Sequence, residues 1–207
     1  MIKLYYSNFS CAMVVHIVLE LLKADYEAIK VQIWSEDYKK IAPKWAVPAI
    51  IDTEVWDEAM TQIVAILKYL LKKYPNNNIW SDWNIVNDYK LDNVLSFLNS
   101  DLHTSFWWAF ASQKFTTKTD EESLKAVKEA SFLRINRQLW FLDEMLENSD
   151  FLVWNKISVA DIYAFVIVRW AVYIIPEWIW SFKNISKFYA NISKIPEVQK
   201  IMEIHGK

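Results

Sequence analysis

The chain has 207 residues, 54% of them hydrophobic, with 23 basic and 25 acidic side chains and a formal charge of −2. That length and apolar share bury a sizeable core, in one large or two small domains, and the scattered Lys and Arg form no basic stripe of the kind a nucleic-acid binder carries. One cysteine excludes an internal disulfide framework and fits a reducing cytoplasm.

Ile2 to Tyr6 reads as a strand, entered without the charged-then-apolar layout of a signal peptide. The following helix carries Val14, Val15, Val18, Leu19 and Leu22 at helical spacing. Cys11 stands where the strand gives way to this helix. A thiol there meets unpaired backbone N–H groups and the positive end of the helix dipole, which favour thiolate over thiol, on the protein or on a ligand held at the same place. The alternative is that Cys11 is a small buried hydrophobe. Tyr26 to Ile33 alternates as a strand, and a short helix or loop follows.

Pro48 directly precedes the apolar run Ala49-Ile50-Ile51; such a proline cannot donate to a ladder and is a candidate for a cis bond. Two strands then form a hairpin near Trp56, and a helix from Thr61 to Lys73 ends before Pro75. Asn76 to Asn84 reads as a linker.

Beyond Ile85 only helical periods remain. One helix covers Ile85 to Ala111 with Leu91, Val94, Leu95, Leu98 and Leu102 inward, and a second covers Asp120 to Asn148. Ser158 with Asp161 forms a capping box before the Ile162 helix. The run from Ile162 to Ile175 is too short to span a bilayer and contains Arg169, so it reads as a buried core helix. Short helices follow at Ser181 to Asn191 and Pro196 to Ile204. The expected fold is therefore α/β plus all-α: a thioredoxin-like βαβ-ββα domain over residues 1–74, a linker at 75–84, and an all-helical domain over 85–207.

Four marks carry a family likeness: Lys3-Leu4-Tyr5-Tyr6-Ser7 with Cys11 and His16; Pro43-Lys44 with Ala46-Val47-Pro48-Ala49; Thr61-Gln62 followed by Ala65 to Leu70; and Ser158-Val159-Ala160-Asp161-Ile162-Tyr163. In this order and spacing, over nearly the whole length, the chain resembles the glutathione S-transferases, particularly the bacterial beta-type group. The resemblance implies a cytoplasmic, homodimeric transferase of the detoxifying kind. It would take glutathione as co-substrate and an electrophilic small molecule, without a metal, a nucleic acid or a membrane.

It also implies roles for particular residues. Cys11 matches a residue able to form a mixed disulfide with glutathione, and His103 a histidine facing the bound thiol. Val47 and Pro48 would pair with the tripeptide backbone. Gln62 and the N–H of Ile63, opening a helix, would hold the γ-glutamyl end. Ser7, Ser10, Tyr5 and Tyr6 are further thiol partners, and Phe106 to Phe110 would wall the second-substrate site. Three positions depart from the beta-type pattern: Ile63 replaces a serine, Ser96 an asparagine seven residues before the histidine, and Thr104 a lysine. These departures suit an alternative, a non-catalytic transferase-like binding protein of the RNA-polymerase-associated type. A glutaredoxin-like reductase lacks its usual second cysteine.

The chain has one glycine, Gly206, and 12 tryptophans, where about 14 glycines are expected at a share of roughly 7%. Trp45, Trp56, Trp154, Trp80 and Trp83 fall in turns and linkers where glycine is the default. The reading that follows is that most of these are glycines in the native protein, UGA codons being decoded as glycine, with Trp170 a genuine tryptophan. Trp107 and Trp108 fall under the same reading.

Overall fold

The computed structural model describes residues 1–75, 79 and 84–206. Its first part runs β1 (Ile2–Tyr6), α1 (Ala12–Leu21), β2 (Tyr26–Lys30), α2 (Glu36–Ile41), β3 (Ala49–Asp52), β4 (Trp56–Thr61) and α3 (Ile63–Lys73). The strands form one sheet in the order β2-β1-β3-β4; β1 pairs parallel with β2, and the other pairs are antiparallel. The alternation of β1 sorts its side chains between the two faces. Ile2, Leu4 and Tyr6 join the main core, whereas Tyr5 packs on the other face with Tyr38, Ala42 and Ala49. This is a thioredoxin-like domain.

The second part is helical: α4 (Ile85–Ser96), a π-helical segment (Phe97–His103), α5 (Thr104–Phe110), a short 3-10 turn (Ser112–Lys114), α6 (Glu121–Met145), α7 (Val159–Ile174), α8 (Pro176–Ile179), α9 (Lys183–Ile192) and α10 (Pro196–His205). No described helix is long and apolar enough to cross a membrane. α7 is apolar on nearly every face and is buried on nearly every face, as such a helix must be. Its capping box forms: the Asp161 carboxylate accepts the Ser158 N–H at 2.7 Å, the Ser158 hydroxyl at 2.6 Å and the Leu152 N–H at 2.8 Å. Arg169, 1% exposed, is held inside by its bond to the Gly206 carbonyl and by the Phe9 and Tyr173 rings.

α1 joins the two parts. Residues Ala12 to Leu19 are all buried, and the helix packs on α3 from its own domain and on α7 and α10 from the helical one. His16 and His205 meet at this seam, Nδ1 to Nε2 at 3.0 Å, with the Tyr6 ring against both.

The boundaries differ from expectation in four places. β2 stops at Lys30 rather than Ile33, and α3 opens at Ile63 because Thr61 is held in the ladder opposite Ala49. The helix expected over Ile85 to Ala111 is broken by the π segment, and α8 was not foreseen. Of the expected linker only Pro75, Ile79 and Asn84 are described, and Trp80 and Trp83 lie outside the described residues. Trp34 (φ 75°) and Trp45 (φ 51°) have left-handed backbone. Trp56, which opens β4 opposite Asp52, and Trp154 do not, so their backbone makes no demand for glycine.

Candidate active site

Strand directions bring three chain segments to one end of the sheet. β1 ends there and leads into Cys11; β3, antiparallel to it, begins there after Val47-Pro48; β4 ends there and leads into Gln62. The Val47-Pro48 bond is cis, and the Cys11 thiol donates to the Val47 carbonyl at 3.3 Å. That carbonyl is therefore already engaged, while the Val47 N–H has no partner among the described residues.

Cys11 caps α1 without a side-chain cap bond. Burial pushes its thiol up to about 12, opposite in direction to the pull of the helix N-terminus. Desolvation penalises the anion, and the carbonyl in front of the sulfur accepts a proton rather than supplying one. Ser10 works locally, donating to the Ser7 carbonyl at 2.6 Å and accepting the Ala12 N–H at 3.3 Å. Tyr6 is committed to the histidine pair and Tyr5 packs on Tyr38 in the opposite core.

Gln62 precedes α3 with φ 72° and ψ 108°, a conformation a glutamine holds only when its surroundings impose it. Its side chain is exposed and makes no cap bond, so its amide is presented to solvent beside the first-turn N–H groups of α3. The Ile63 side chain is in the core, 5% exposed, which leaves only its backbone N–H for a ligand. Ser96 sits exposed at the end of α4, where its carbonyl accepts the Ser100 hydroxyl at 2.8 Å. Among the described residues its hydroxyl has no hydrogen bond into the Cys11 corner.

His103 ends the π segment, 8% exposed. Its Nδ1 meets the Tyr163 hydroxyl at 2.7 Å, and its ring lies edge-on to Trp170 (5.0 Å) and stacked near Trp107 (6.4 Å). Burial among these surroundings lowers its pKa to about 4, so it is neutral near pH 7. Tyr163 lies within electrostatic reach of Cys11. Phe106 is fully buried against Trp170 and lines no cleft; Trp107 (51% exposed) and Phe110 (47%) are the exposed members of that expected wall. Tyr163 and Asn99, whose Oδ1 lies 3.1 Å from the tyrosine oxygen, were missed. The available signal was a lone phenol in the run Ile162 to Val168. No group of three or more metal-binding side chains occurs among the described residues.

Comparison with known proteins agrees with this layout. The chain matches the family model of the glutathione S-transferase N-terminal domain over residues 3–72 and that of the C-terminal domain over 90–196. It is 25% identical to the glutathione S-transferase GstA of Escherichia coli O157:H7 over 210 residues, covering 99% of this chain and 98% of the relative. A sphingomonad glutathione S-transferase solved in complex with glutathione superposes with a TM-score of 0.85 at 28% identity, over 99% of this chain and 98% of the other. The bacterial beta-class enzyme of Sphingomonas chungbukensis gives 0.85 at 26%, with the same coverage. With both domain models matched in order, and the cis-proline and α3 corner intact, the chain belongs to the glutathione S-transferase family.

Proposed function

We propose that the chain is a glutathione transferase whose tripeptide lies across the end of the sheet formed by Cys11, Val47-Pro48 and Gln62. The observation that carries this is their convergence: an unpaired Val47 N–H beside a cis proline, and an exposed amide at a left-handed Gln62 opening an eleven-residue helix. The Val47 N–H suits a peptide carbonyl, and the first-turn N–H groups of α3 suit the γ-glutamyl carboxylate. The glutathione bound by the sphingomonad relative supports this reading.

The thiol would then stand between Cys11 and His103. His103, neutral at physiological pH, takes the thiol proton at Nε2 directly or through a water. The thiolate attacks the electrophilic carbon, and the leaving group departs with its bonding pair. Cys11 keeps its own proton, which lets its S–H turn from the Val47 carbonyl to the glutathione sulfur as a donor. Exchange with glutathione disulfide through Cys11 forms a Cys11–glutathione disulfide and releases a glutathione thiolate, and it requires Cys11 first to lose its proton. The electrophile would lie against Trp107 and Phe110.

Residues 1–74 are the glutathione-binding unit and 85–207 the unit carrying the second-substrate wall, joined at 75–84. Exposed Ile85, Val86 and Tyr89 on α4, with Leu133, Trp140 and Phe141 on α6, support a homodimer. A cytoplasmic, detoxifying role accords with the bacterial relatives. Calorimetric titration of reduced glutathione, followed by a conjugation assay with chlorodinitrobenzene, tests the reading. Micromolar-to-millimolar binding weakened by Gln62→Ala, together with turnover, is expected. Absence of binding by the folded protein overturns it in favour of the non-catalytic reading.

A further inference from the structure

The reading of His103 as proton acceptor leaves open what holds its ring in the accepting form. Asn99 and His103 lie four residues apart on the π segment, whose wide turn puts both on the side facing α7. There they meet one group, the Tyr163 hydroxyl. Asn99 Oδ1 can only accept, and a phenol has one hydrogen to give. With that hydrogen donated to Asn99, the Tyr163 oxygen accepts from His103 Nδ1 at 2.7 Å. The imidazole hydrogen is thereby fixed on Nδ1 and the lone pair on Nε2. Nε2 has no partner among the described residues, yet it is not one of the fully enclosed unpaired atoms, and the ring keeps 8% of its surface exposed. A network built only to satisfy buried groups, such as the Ser158–Asp161 box, closes on itself; this one ends in an open acceptor.

Resting on the proposed function, we propose that Tyr163 and Asn99 are positioning residues that set the His103 tautomer, so that Nε2 receives the glutathione proton. Around His103 the titratable groups are few. Tyr163 faces it from α7, and Cys11 lies beyond Tyr163 at the start of α1. Asp101 lies on its own segment, and burial lowers the His103 pKa.

The test combines His103→Gln, Tyr163→Phe, Asn99→Leu and Asn99→Asp with conjugation kinetics across pH and with 15N NMR of the imidazole. Tyr163→Phe and Asn99→Leu are expected to lower kcat/KM by on the order of tenfold or more, with glutathione affinity unchanged and the 15N signals moving toward the other tautomer. Asn99→Asp keeps the acceptor, so it retains the tautomer. Its carboxylate raises the acid limb of the pH profile. Full activity and an unchanged tautomer in Tyr163→Phe and Asn99→Leu, while His103→Gln is impaired, overturn the positioning role and leave the proposed function standing. Full activity in His103→Gln overturns the role of His103 itself.

A separate observation concerns the two left-handed tryptophans. Trp34, 65% exposed, and Trp45 meet with ring centroids 5.5 Å apart, tilted by 46°, and both hold a backbone region where a side chain is strained, in a chain with a single glycine. We infer that positions 34 and 45 are glycine in the protein its own cells make, through UGA codons decoded as glycine. Peptide mass spectrometry of the protein from those cells is expected to show glycine at both positions and tryptophan at position 170. Tryptophan at positions 34 and 45 overturns the inference, as do UGG codons there.

Discussion

All three histidines of this chain are buried, and acid should unfold it. Burial lowers His16 to about 4, His103 to about 4 and His205 to about 3, against an unfolded value of 6.5. The unfolded chain therefore binds more protons below about pH 6.5, and stability is lost as the pH falls. Between about pH 7 and pH 5 each histidine costs about 2 kcal/mol. Asp161 runs the other way: burial raises it to about 6 against the pull of its three donors, so the folded state takes up a proton in the same window. That returns about 1 kcal/mol. The net loss is about 4–5 kcal/mol, a large share of the 5–15 kcal/mol typical of a folded domain. Urea denaturation followed by tryptophan fluorescence at the two pH values measures it. Replacing His16 and His205 together by glutamine should remove about two-thirds of the histidine contribution. A midpoint that does not move between pH 7 and pH 5 refutes the assignment of buried neutral histidines.

Asp161→Ala, which strands the Leu152 and Ser158 N–H groups, should destabilise by about 3–5 kcal/mol in the same assay, against about 1 kcal/mol for Ser158→Ala. Gln62→Gly relieves a left-handed glutamine and should stabilise by about 1 kcal/mol while weakening glutathione binding by calorimetry; undiminished binding would remove Gln62 from the site. With its thiol raised to about 12, Cys11 should react with iodoacetamide on the order of a thousandfold more slowly than free cysteine near pH 7, and prompt labelling of the folded protein would contradict that.

The strand and helix order was legible from alternation over Tyr26 to Ile33 and from apolar residues at helical spacing in α1 and α4. The Val47-Pro48 corner and the Ser158–Asp161 box were legible because proline and capping chemistry are local. What was not legible depended on burial across the domain boundary. The helix dipole at Cys11 pointed toward thiolate, whereas desolvation of the thiol, which acts the other way, and its bond to the Val47 carbonyl belong to the packed structure. His103, neutral on account of aromatic walls that come from α5 and α7, and the Asn99–Tyr163 contact, sixty-four residues apart in sequence, could not be read from spacing.

The seam at His16 and His205 sets the order in which the chain can finish folding. α1 is made before the other described helices, yet one of its flanks is covered by α10, the last of the described helices to be made. Until then the nascent thioredoxin-like unit carries an uncovered apolar helix and an unpaired imidazole. Expressed alone it should need a chaperone or a detergent, and loss of α10 should be felt first at the Cys11 corner that α1 supports.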